Sequence, residues 1–280
     1  MTTFTLIGAG HVGRVLGRLL VQQAGWQLQQ VLTRSATSAA QAVEFIGSGS
    51  AIADYAALAP AEVFILAVGD DQIVPASTAL AQAQTDRLAG SVVFHCSGAL
   101  ASDRLQTARA AGASVASVHP IRSFADPQAV AQAFAGTYCG IEGDAAALAL
   151  LTPAFAAIGA QPVPIDAAAK TVYHAAAVFA SNYLVTVLDA ALRAYQAAGI
   201  PEAVARQLVQ PLASESMANV FRLGAATALS GPIARGDMAT VERQLQAVRA
   251  WDAPSGELYQ SLIAPTTALA QRKQAAIKHK

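Results

Sequence analysis

The sequence predicts an α/β domain built on a mostly parallel sheet, followed by an all-α domain. Short β-branched runs alternate with helix-like segments over the first part of the chain, and strand-like runs stop after residue 165. Such alternation is typical of parallel sheets whose crossover helices cover both faces. We therefore expect one domain over residues 1–166 and a helical one over residues 167–280.

The predicted strands are short apolar runs bounded by turn residues. They cover residues 4–7, 28–32, 62–68, 91–95, 114–118, 137–141 and 161–165. Residues 12–23 and 101–111 between them have helical spacing, and the later helices are expected at 167–198, 202–223, 238–251 and 255–276. Gly199 is a candidate C-cap of the helix over 167–198, and Pro201 can open the next one.

The composition excludes several classes of protein. Hydrophobic residues make up 54% and charged residues 13%, which argues against disorder. The 18 basic and 18 acidic residues cancel, so no basic stripe indicates a nucleic-acid partner. No HxxxH or HExxH spacing indicates a metal site, and Cys96 and Cys139 are expected to be reduced thiols.

The chain shows no signal-peptide pattern at its start. The longest apolar stretch, AAAVFASNYLVTVLDAAL, is interrupted by Asn182 and Asp189 and is interpreted as a buried helix rather than a membrane span. We therefore expect a cytoplasmic protein without a membrane partner. A helical domain so rich in Ala and Leu is also expected to bury surface against a second copy, which predicts a homodimer.

The stretch TLIGAGHVGRVLGRLL places three glycines between a strand and an amphipathic helix. In a Rossmann-type βαβ unit, Gly8 allows the tight turn, Gly10 lets the backbone approach a pyrophosphate, and Gly13 permits close helix–strand packing. Free N–H groups at the helix start then meet the anion. The alternative is a plain strand–helix turn. The predicted contacts with a dinucleotide come from Gly8, Ala9, Gly10, His11, Val12 and Gly13.

The end of the second predicted strand indicates which dinucleotide binds. An NAD site usually places Asp or Glu here, whereas this chain has Arg34 and Ser35 and no acid nearby. A guanidinium can bind a 2′-phosphate, and a serine hydroxyl adds a donor. The sequence therefore favours NADP. The alternative is that Arg34 is a solvated surface residue.

Six motifs carry a resemblance to a bacterial family that pairs a Rossmann-like domain with a C-terminal helical domain of unknown function. They are LIGAGHVG, FILAVGDDQI, VFHCSGAL, SVHPIRSF, YHAAAVFASNYL and SGPIARGD. The layout is distantly similar to ketopantoate reductase, pyrroline-5-carboxylate reductase and the β-hydroxyacid dehydrogenases. This resemblance implies NADP-linked hydride transfer at a cleft between the domains and a dimer formed by the helical domain.

Residues after the carboxyl ends of the strands are expected to line the ligand site. Val68 and Ser97 are predicted to contact the cofactor, and Ser97 is also a candidate substrate ligand because ketopantoate reductase has a similar turn near the nicotinamide. Its alternative role is that of a turn serine. Asp70 and Asp71 are interpreted as turn or cap residues.

The long helix carries the candidate catalytic groups. Lys170 and His174 are four residues apart, and Ser181 is aligned with His174 in an ideal α-helix, while Asn182 lies at the edge of the stripe. In the β-hydroxyacid dehydrogenases and ketopantoate reductase, a Lys-x-x-x-Asn pair supplies the proton donor and a substrate ligand. Here Lys170 matches the lysine, and His174 replaces the asparagine. Ser181 and Asn182 are candidate substrate ligands.

Three further residues complete the predicted site. His119 precedes Pro120 at a strand end and is a candidate catalytic group. Arg235, in the loop SGPIARGD, or Arg122 is expected to hold a substrate carboxylate. The alternative for that loop is a rigid turn in which Asp237 caps the next helix. His95, at another strand end, is expected to be structural.

The leading hypothesis is an NADPH-dependent reductase of a small carbonyl or imine, with a 2-oxo acid resembling ketopantoate as the favoured substrate. One alternative is an NADP-binding redox sensor without turnover. A second is a deazaflavin-dependent oxidoreductase, which shares the sheet topology.

Overall fold

The computed structural model describes residues 1–278 and divides into two compact units between Ser181 and Asn182. The first unit extends beyond the boundary that the sequence places after Asp166. The extension has a structural cause, because Lys170 hydrogen-bonds with residues of the sheet unit.

A single sheet forms the centre of the first unit. Within the described residues its strands are β1 (Thr3–Ile7), β2 (Gln27–Leu32), β3 (Ser50–Ile52), β4 (Val63–Leu66), β5 (Val92–His95), β6 (Ser114–Pro120), β7 (Tyr138–Gly143) and β8 (Gln161–Pro164). Their spatial order is β3-β2-β1-β4-β5-β6-β7-β8. Neighbouring strands are parallel except for β6 and β7, which are antiparallel to each other. In this antiparallel pair His119 lies opposite Gly140. All seven predicted strands are confirmed, and the short edge strand β3 was missed.

Helices flank the sheet. In the first unit they are α1 (His11–Gln23), α2 (Ala36–Ile46), α3 (Ile73–Ala83), α4 (Gln106–Ala110), α5 (Pro127–Gln132), α6 (Ala145–Ala157) and α7 (Lys170–Val178). The helix predicted over 101–111 consists of a 3-10 turn at Ser102–Leu105 followed by α4.

Two apolar layers, one on each face of the sheet, form the core of this unit. Successive strand residues point to opposite faces, so Ile65 and Phe94 belong to one layer, whereas Phe64 and Val93 belong to the other. Burial on both faces explains why the central strands are apolar runs without alternation. The predicted fold class is confirmed.

The second unit is helical, with α8 (Leu184–Ala197), α9 (Glu202–Leu223), α10 (Ala225–Ala228), α11 (Met238–Trp251) and α12 (Ala253–Lys278). The predicted bounds of α9 and α11 are confirmed. The buried apolar residues that the structure describes here are few and mostly small: Ala205, Val209, Val241, Leu245 and Ala270.

The helix predicted over 167–198 is present over Ala167–Ala197, but it is not α-helical throughout. It begins with a 3-10 turn at Ala167–Ala169, continues as α7, and contains a π-turn at Phe179–Tyr183 before α8. A π-turn widens the helix and rotates the residues that follow. The alignment of Ser181 with His174, which assumed an ideal α-helix, therefore does not apply.

Candidate active site

The junction of β1 and α1 has the geometry of an anion-binding turn. Gly8 has a φ of +83°, a backbone conformation that L side chains rarely adopt. A Cβ on Gly8 would lie 2.5 Å from the Ala67 carbonyl oxygen, and one on Gly13 would lie 2.8 Å from the Gly8 carbonyl oxygen. Both positions therefore require glycine, for the turn and for close helix packing respectively.

Gly10 differs from the other two glycines because a Cβ there would meet nothing within 4 Å. It is the N-cap residue of α1 and provides no side-chain cap. The first N–H groups of a helix have no intrahelical partner. The backbone of this turn is thus open to an anionic ligand, as the sequence predicts.

A cavity of about 860 Å³ adjoins this turn. Its size lies within the range of small-molecule and cofactor sites. The lining includes five of the predicted cofactor residues: Gly8, Ala9, Gly10, Arg34 and Val68. Other lining residues that the sequence did not indicate include Arg14, Thr33, Ser38, Tyr55 and Gln72.

The remaining predicted cofactor residues lie outside the cavity lining. His11 Nδ1 lies 2.6 Å from the Phe124 carbonyl oxygen. Ser35 caps α2, because its Oγ accepts from Ser38 N at 3.2 Å. It is Ser38, one turn further, that lines the cavity beside Arg34. Val12, Gly13 and Ser97 are likewise absent from the lining.

The turn after β5 is held by its own side chains. Ser97 N donates to His95 Nδ1 at 3.2 Å, and His95 Nε2 lies 3.1 Å from the Ala101 carbonyl oxygen. His95 is therefore protonated on Nε2, and burial lowers its pKa to about 4. Ser97 Oγ accepts from the N–H groups of Ala99 and Leu100. His95 is structural in this unit, as predicted from its position.

Lys170, the first residue of α7, is fully buried under this turn. Its Nζ donates to the Ser97 carbonyl oxygen at 2.8 Å and to Ser117 Oγ on β6. Glu142 Oε1 lies 3.8 Å from Nζ, and the Glu142 carboxylate also accepts from the Ser102 N–H and hydroxyl. The lysine thus connects α7, β6, β7 and the turn after β5.

Burial lowers the pKa of Lys170 to about 8, and the charge of Glu142 opposes this shift. The two directions follow from elementary electrostatics: loss of hydration disfavours the ammonium, and a neighbouring carboxylate favours it. Only 1% of the Lys170 side chain is exposed. This burial favours a role in positioning the turn after β5 over direct contact with a substrate.

Two histidines converge on Gly98, next to this network. A Cβ on Gly98 would lie 2.4 Å from His174 Nδ1 and 2.8 Å from His119 Nε2. The imidazole ring centroids are 5.4 Å apart with an interplanar angle of 78°. His119 Nδ1 lies 2.9 Å from the Tyr173 hydroxyl oxygen. Only glycine leaves room for both rings over this turn.

Both rings of the pair are half-buried. Burial lowers the pKa of His119 to about 4, and the neighbouring His174 and Lys170 add to this shift. His174 Nδ1 is buried and has no hydrogen-bond partner. If Nδ1 carried the proton, that N–H would be an unsatisfied buried donor against Gly98. The neutral ring therefore carries its proton on Nε2.

The cavity and the histidine pair lie along one edge of the sheet. The glycine turn follows β1, Val68 follows β4, Gly98 follows β5, and His119 lies at the end of β6, which are consecutive in the sheet. Because these four strands are parallel, their carboxyl ends share an edge. At about 4.8 Å per strand, β1 and β6 are separated by about 14 Å.

Other predicted site residues have other surroundings. Ser181 is exposed at the end of the first unit, and Asn182 belongs to the second, where its carbonyl accepts from Thr186 Oγ1. Arg122 NH1 donates to the Ala133 carbonyl oxygen. Asp70 and Asp71 begin a 3-10 turn that leads into α3, as predicted.

The loop SGPIARGD contains a short 3-10 helix at Ile233–Arg235. Asp237 caps α11 through Thr240 N at 3.1 Å, which agrees with the rigid-turn interpretation. Among the described residues, no ion pair joins Arg235 to Asp237. Hydrogen bonds with Thr240 lower the pKa of the Asp237 carboxyl, and the charge of Arg235 nevertheless adds to this shift, so the two side chains interact at longer range.

Sequence reasoning missed Tyr173, Glu142 and Ser117. Tyr173 is adjacent to His174 in the quoted motif, and that adjacency is the signal that could have found it. Glu142 is an acid between apolar residues in a buried strand, which indicates a buried partner. Ser117 has no such signal, since its contact with Lys170 is purely tertiary.

In the part of the chain that the structure describes, no cluster of three His, Cys, Asp or Glu residues could hold a metal ion. The helical stretch Ala167–Ala197 is long and apolar enough to cross a membrane, which by itself is weak evidence for a span. None of its most apolar window is buried, so the prediction of a buried helix was wrong.

Two family models match the chain, and the second begins within the sheet unit, before the boundary that the sequence places after Asp166. Residues 2–120 match a Rossmann-like domain, and residues 137–266 match a domain of unknown function, DUF2520. The chain thus combines a Rossmann-like domain with a DUF2520 domain, as its motifs predict. No protein of curated function matches the chain.

Solved structures share the fold over nearly the full length. Protein TM1727 from Thermotoga maritima is 25% identical, with a TM-score of 0.71 over 97% of this chain and 99% of that one. A Bacteroides fragilis protein, provisionally assigned as an NADP oxidoreductase, is 21% identical, with a TM-score of 0.78 over 95% and 98%. A reductive aminase from Aspergillus terreus, in complex with NADPH and ethyl-5-oxohexanoate, is 17% identical, with a TM-score of 0.68 over 99% and 94%.

Proposed function

We propose that this protein is an NADPH-dependent reductase of a small carbonyl or imine. One observation carries the proposal: a cavity of dinucleotide size and a histidine pair share the carboxyl edge of the sheet. An elongated ligand anchored at the glycine turn and running along that edge reaches Gly98 and the two rings. The NADPH found with the Aspergillus terreus reductive aminase supports the choice of cofactor.

The cavity fits the phosphorylated dinucleotide. The open backbone at Gly10 suits the pyrophosphate, and Arg34 with the Ser38 hydroxyl suits a 2′-phosphate. Ser38 takes over the role that the sequence suggested for Ser35, whose hydroxyl caps α2. The alternative deazaflavin cofactor has no need of Arg34 at this position.

NADPH, when bound, supplies a hydride to the electrophilic carbon of the substrate. The chain must then hold the substrate and deliver a proton to its oxygen or nitrogen. His174 Nε2–H is the proposed donor, because its other nitrogen is buried against Gly98. A neutral imidazole N–H can also polarise a carbonyl before the proton moves.

Lys170 has a supporting role in this proposal. Its Nζ is occupied by the Ser97 carbonyl and Ser117 Oγ, so it fixes the turn on which the histidines pack. This assignment differs from the one implied by the resemblance to β-hydroxyacid dehydrogenases, in which the lysine is the proton donor. The buried position of Nζ is the reason for the change.

Two substrate subclasses can be separated by charge. A 2-oxo acid resembling ketopantoate needs a cation for its carboxylate, and in the first unit Lys170 faces Glu142 while Arg122 bonds a backbone carbonyl. Arg235 would have to supply that cation. Arg235→Ala is then expected to raise KM at least tenfold for a 2-oxo acid and to leave KM for a neutral cyclic imine unchanged. Arg243→Ala, an exposed neighbour on α11, is the matched control.

The test is a screen of NADPH oxidation with 2-oxo acids, keto esters and cyclic imines, followed at 340 nm (the reduced nicotinamide band). His174→Gln is expected to lower kcat by about 10²–10⁴-fold, the usual contribution of a general acid. NADPH affinity measured by calorimetry is expected to stay unchanged. A His174→Gln enzyme with full kcat would contradict the assignment.

A second candidate is an NADP-binding redox sensor without turnover. In such a sensor the glycine turn and the cavity would bind NADP, and the histidine pair would have no catalytic role. It is favoured if the parent protein binds NADPH and oxidises none with any compound of the panel.

We also propose a cytoplasmic homodimer formed through the helical unit. The support is the exposure of large apolar side chains on one face of α9, where Val204, Leu208 and Leu212 recur every four residues and are 43%, 43% and 59% exposed, in a unit with few buried apolar residues. Contiguous exposed apolar surface marks an interaction site. The resemblance to two-domain reductases, which implies a dimer formed by the helical domain, also favours a second copy of this chain as the partner.

A further inference from the structure

The Tyr173 hydroxyl and His119 form a contact that the proposed function has not used. The hydroxyl oxygen lies 2.9 Å from His119 Nδ1, and the two rings meet edge to face at 83°. A Cβ on Gly140 would clash with the hydroxyl, so this strand position must be glycine to accommodate it. Gly140 is also the residue paired with His119 across β6 and β7.

The hydroxyl is the donor in this hydrogen bond. Burial raises the pKa of Tyr173 to about 12 and lowers that of His119 to about 4, so a phenol faces a neutral imidazole near pH 7. The backbone N–H of Gly140 donates to the hydroxyl oxygen, as its lowering effect on the Tyr173 pKa indicates, so the hydroxyl's own proton is left for His119. Nδ1 therefore accepts, and the His119 proton is on Nε2.

His119 Nε2 lies close to the turn where His174 packs. A Cβ on Gly98 would lie 2.8 Å from His119 Nε2 and 2.4 Å from His174 Nδ1. The two nitrogens are not hydrogen-bonded to each other, because His174 Nδ1 is buried and has no partner. Hydrogen bonds of a catalytic site are often long without ligands and tighten in the complex. A hydrogen bond from His119 Nε2–H to His174 Nδ1 therefore requires the two rings to move together when ligands bind.

We infer that Tyr173, His119 and His174 form a relay in which each group donates to the next and His174 presents Nε2–H to the substrate. The inference rests on the proposed reductase function. Tyr173 and His119 are positioning residues that also resupply the proton, and His174 is the catalytic residue.

The proton transfers balance along this chain. As hydride reaches the substrate carbon, its oxygen or nitrogen bonds the His174 Nε2 proton. His174 Nδ1 takes the Nε2 proton of His119, and His119 Nδ1 takes the hydroxyl proton of Tyr173. The resulting phenolate is reprotonated by water. No group is left as an imidazolate, which is the reason for a relay of three groups.

The test is nitrogen-15 NMR of the histidine side chains in the protein bound to NADP⁺. His119 and His174 resonances are identified with His119→Gln and His174→Gln variants. In the parent protein, both rings are expected as the single tautomer with the proton on Nε2. In Tyr173→Phe, His119 is expected to become a mixture of tautomers, and His174 is expected to follow although it is not bonded to Tyr173.

The matched control is Tyr138→Phe, which removes the hydroxyl of a tyrosine that is 53% exposed. It is expected to leave both rings as in the parent protein. His119 protonated on Nδ1 in the parent protein, or a His174 signal unchanged in Tyr173→Phe, would overturn the relay.

The NMR test separates this inference from the proposed function. It needs bound NADP⁺ but no substrate and no turnover, so a protein that reduces nothing can still show the tautomer chain. NADPH calorimetry on Tyr173→Phe provides the folding check, with an affinity within twofold of the parent expected. A kcat lowered at least tenfold in this variant, with KM unchanged, is the expected kinetic counterpart.

Discussion

Arg34 is the residue on which the choice of dinucleotide depends. It lines the cavity at the end of β2, where an NAD site would usually have an acid. Its position could be predicted from the sequence because it depends only on the βαβ register. The serine whose hydroxyl lies beside Arg34 could not be predicted from the sequence. Whether Ser35 or Ser38 faces the cavity depends on which of the two caps α2.

Arg34→Ala is expected to weaken NADPH binding by about 1–3 kcal/mol, the range for loss of a charge-assisted hydrogen bond, and to leave NADH binding nearly unchanged. Isothermal titration calorimetry with both cofactors measures the difference. Arg87→Ala, an exposed arginine outside the cavity lining, is the control. Equal losses for NADPH and NADH would contradict a role at the 2′-phosphate.

Lys170 predicts a pH dependence of stability. Its pKa is about 8 in the folded protein and 10.5 as the ordinary value, so the unfolded chain binds the proton more tightly. The contribution of Lys170 to stability therefore rises with pH between about 8 and 10.5 and is lost as pH falls back from 10.5 to 8. This contribution to the free energy of unfolding is on the order of 3 kcal/mol. It is measured against a variant without the buried charges, because burial also raises the pKa of the Cys96 and Cys139 thiols, whose ionisation in the unfolded chain opposes the rise.

Denaturant unfolding at pH 7.5 and pH 10 would measure this gain, with Lys170→Met/Glu142→Gln as the control. The double variant removes both buried charges together and avoids leaving Glu142 unpaired. Its free energy of unfolding is expected to lack the rise. An identical rise in the control would show that other groups cause it.

The site residues divide by how local their signals are. Lys170, His174 and His119 could be identified because they are polar residues at helical spacing or at a strand end. The residues that contact Lys170 and determine its role could not be identified from the sequence, because Glu142 and Ser117 belong to different strands. Only the structure shows that Nζ is enclosed, which moves the proposed proton donor from the lysine to the histidine.

At the scale of elements, the first βαβ unit could be predicted nearly in full. Its strand, glycine turn and amphipathic helix each have a local sequence pattern, and α1 begins one residue before the prediction. The π-turn at Phe179–Tyr183 could not be predicted from periodicity, because one added residue in a turn leaves the apolar pattern almost intact.

The glycine turn makes a prediction that separates binding from folding. Gly10→Ala meets no atom within 4 Å, so it is expected to fold as the parent does and to weaken NADPH binding at least tenfold by obstructing the pyrophosphate. Gly13→Ala places a Cβ 2.8 Å from the Gly8 carbonyl oxygen and is expected to lower the melting temperature. Calorimetry and thermal unfolding of both variants measure the two effects.

The opposite pattern would be informative. A destabilised Gly10→Ala would indicate that the turn needs glycine for its own geometry. Unchanged NADPH affinity in a stable Gly10→Ala protein would mean that the pyrophosphate does not pass over this residue.

At the scale of the whole molecule, the helical unit explains why a second copy is proposed. Its helices have apolar side chains, yet the described ones that are buried are mostly small, while Leu208 and Leu212 are exposed. The bounds of α9 and α11 could be predicted because Pro201 precedes the first and Asp237 caps the second, whereas the short α10 was missed. Which face of each helix is buried could not be predicted, because that depends on how the helices pack against other surfaces, and the sequence does not give this packing.

Sedimentation velocity at micromolar concentration is expected to show a dimer. Leu208→Glu/Leu212→Glu replaces two exposed apolar side chains with charges and is expected to give a monomer, because a charge buried at an interface without a partner costs several kcal/mol. Arg87→Ala is again the control. A monomeric parent protein would contradict the proposed homodimer.

The account as a whole depends on a dinucleotide lying along the carboxyl edge of the sheet. Calorimetric titration of the purified protein with NADPH tests this most directly. We expect heat that saturates at one cofactor per chain and is greatly weakened in Gly10→Ala. No heat with NADPH or NADP⁺ would contradict the account.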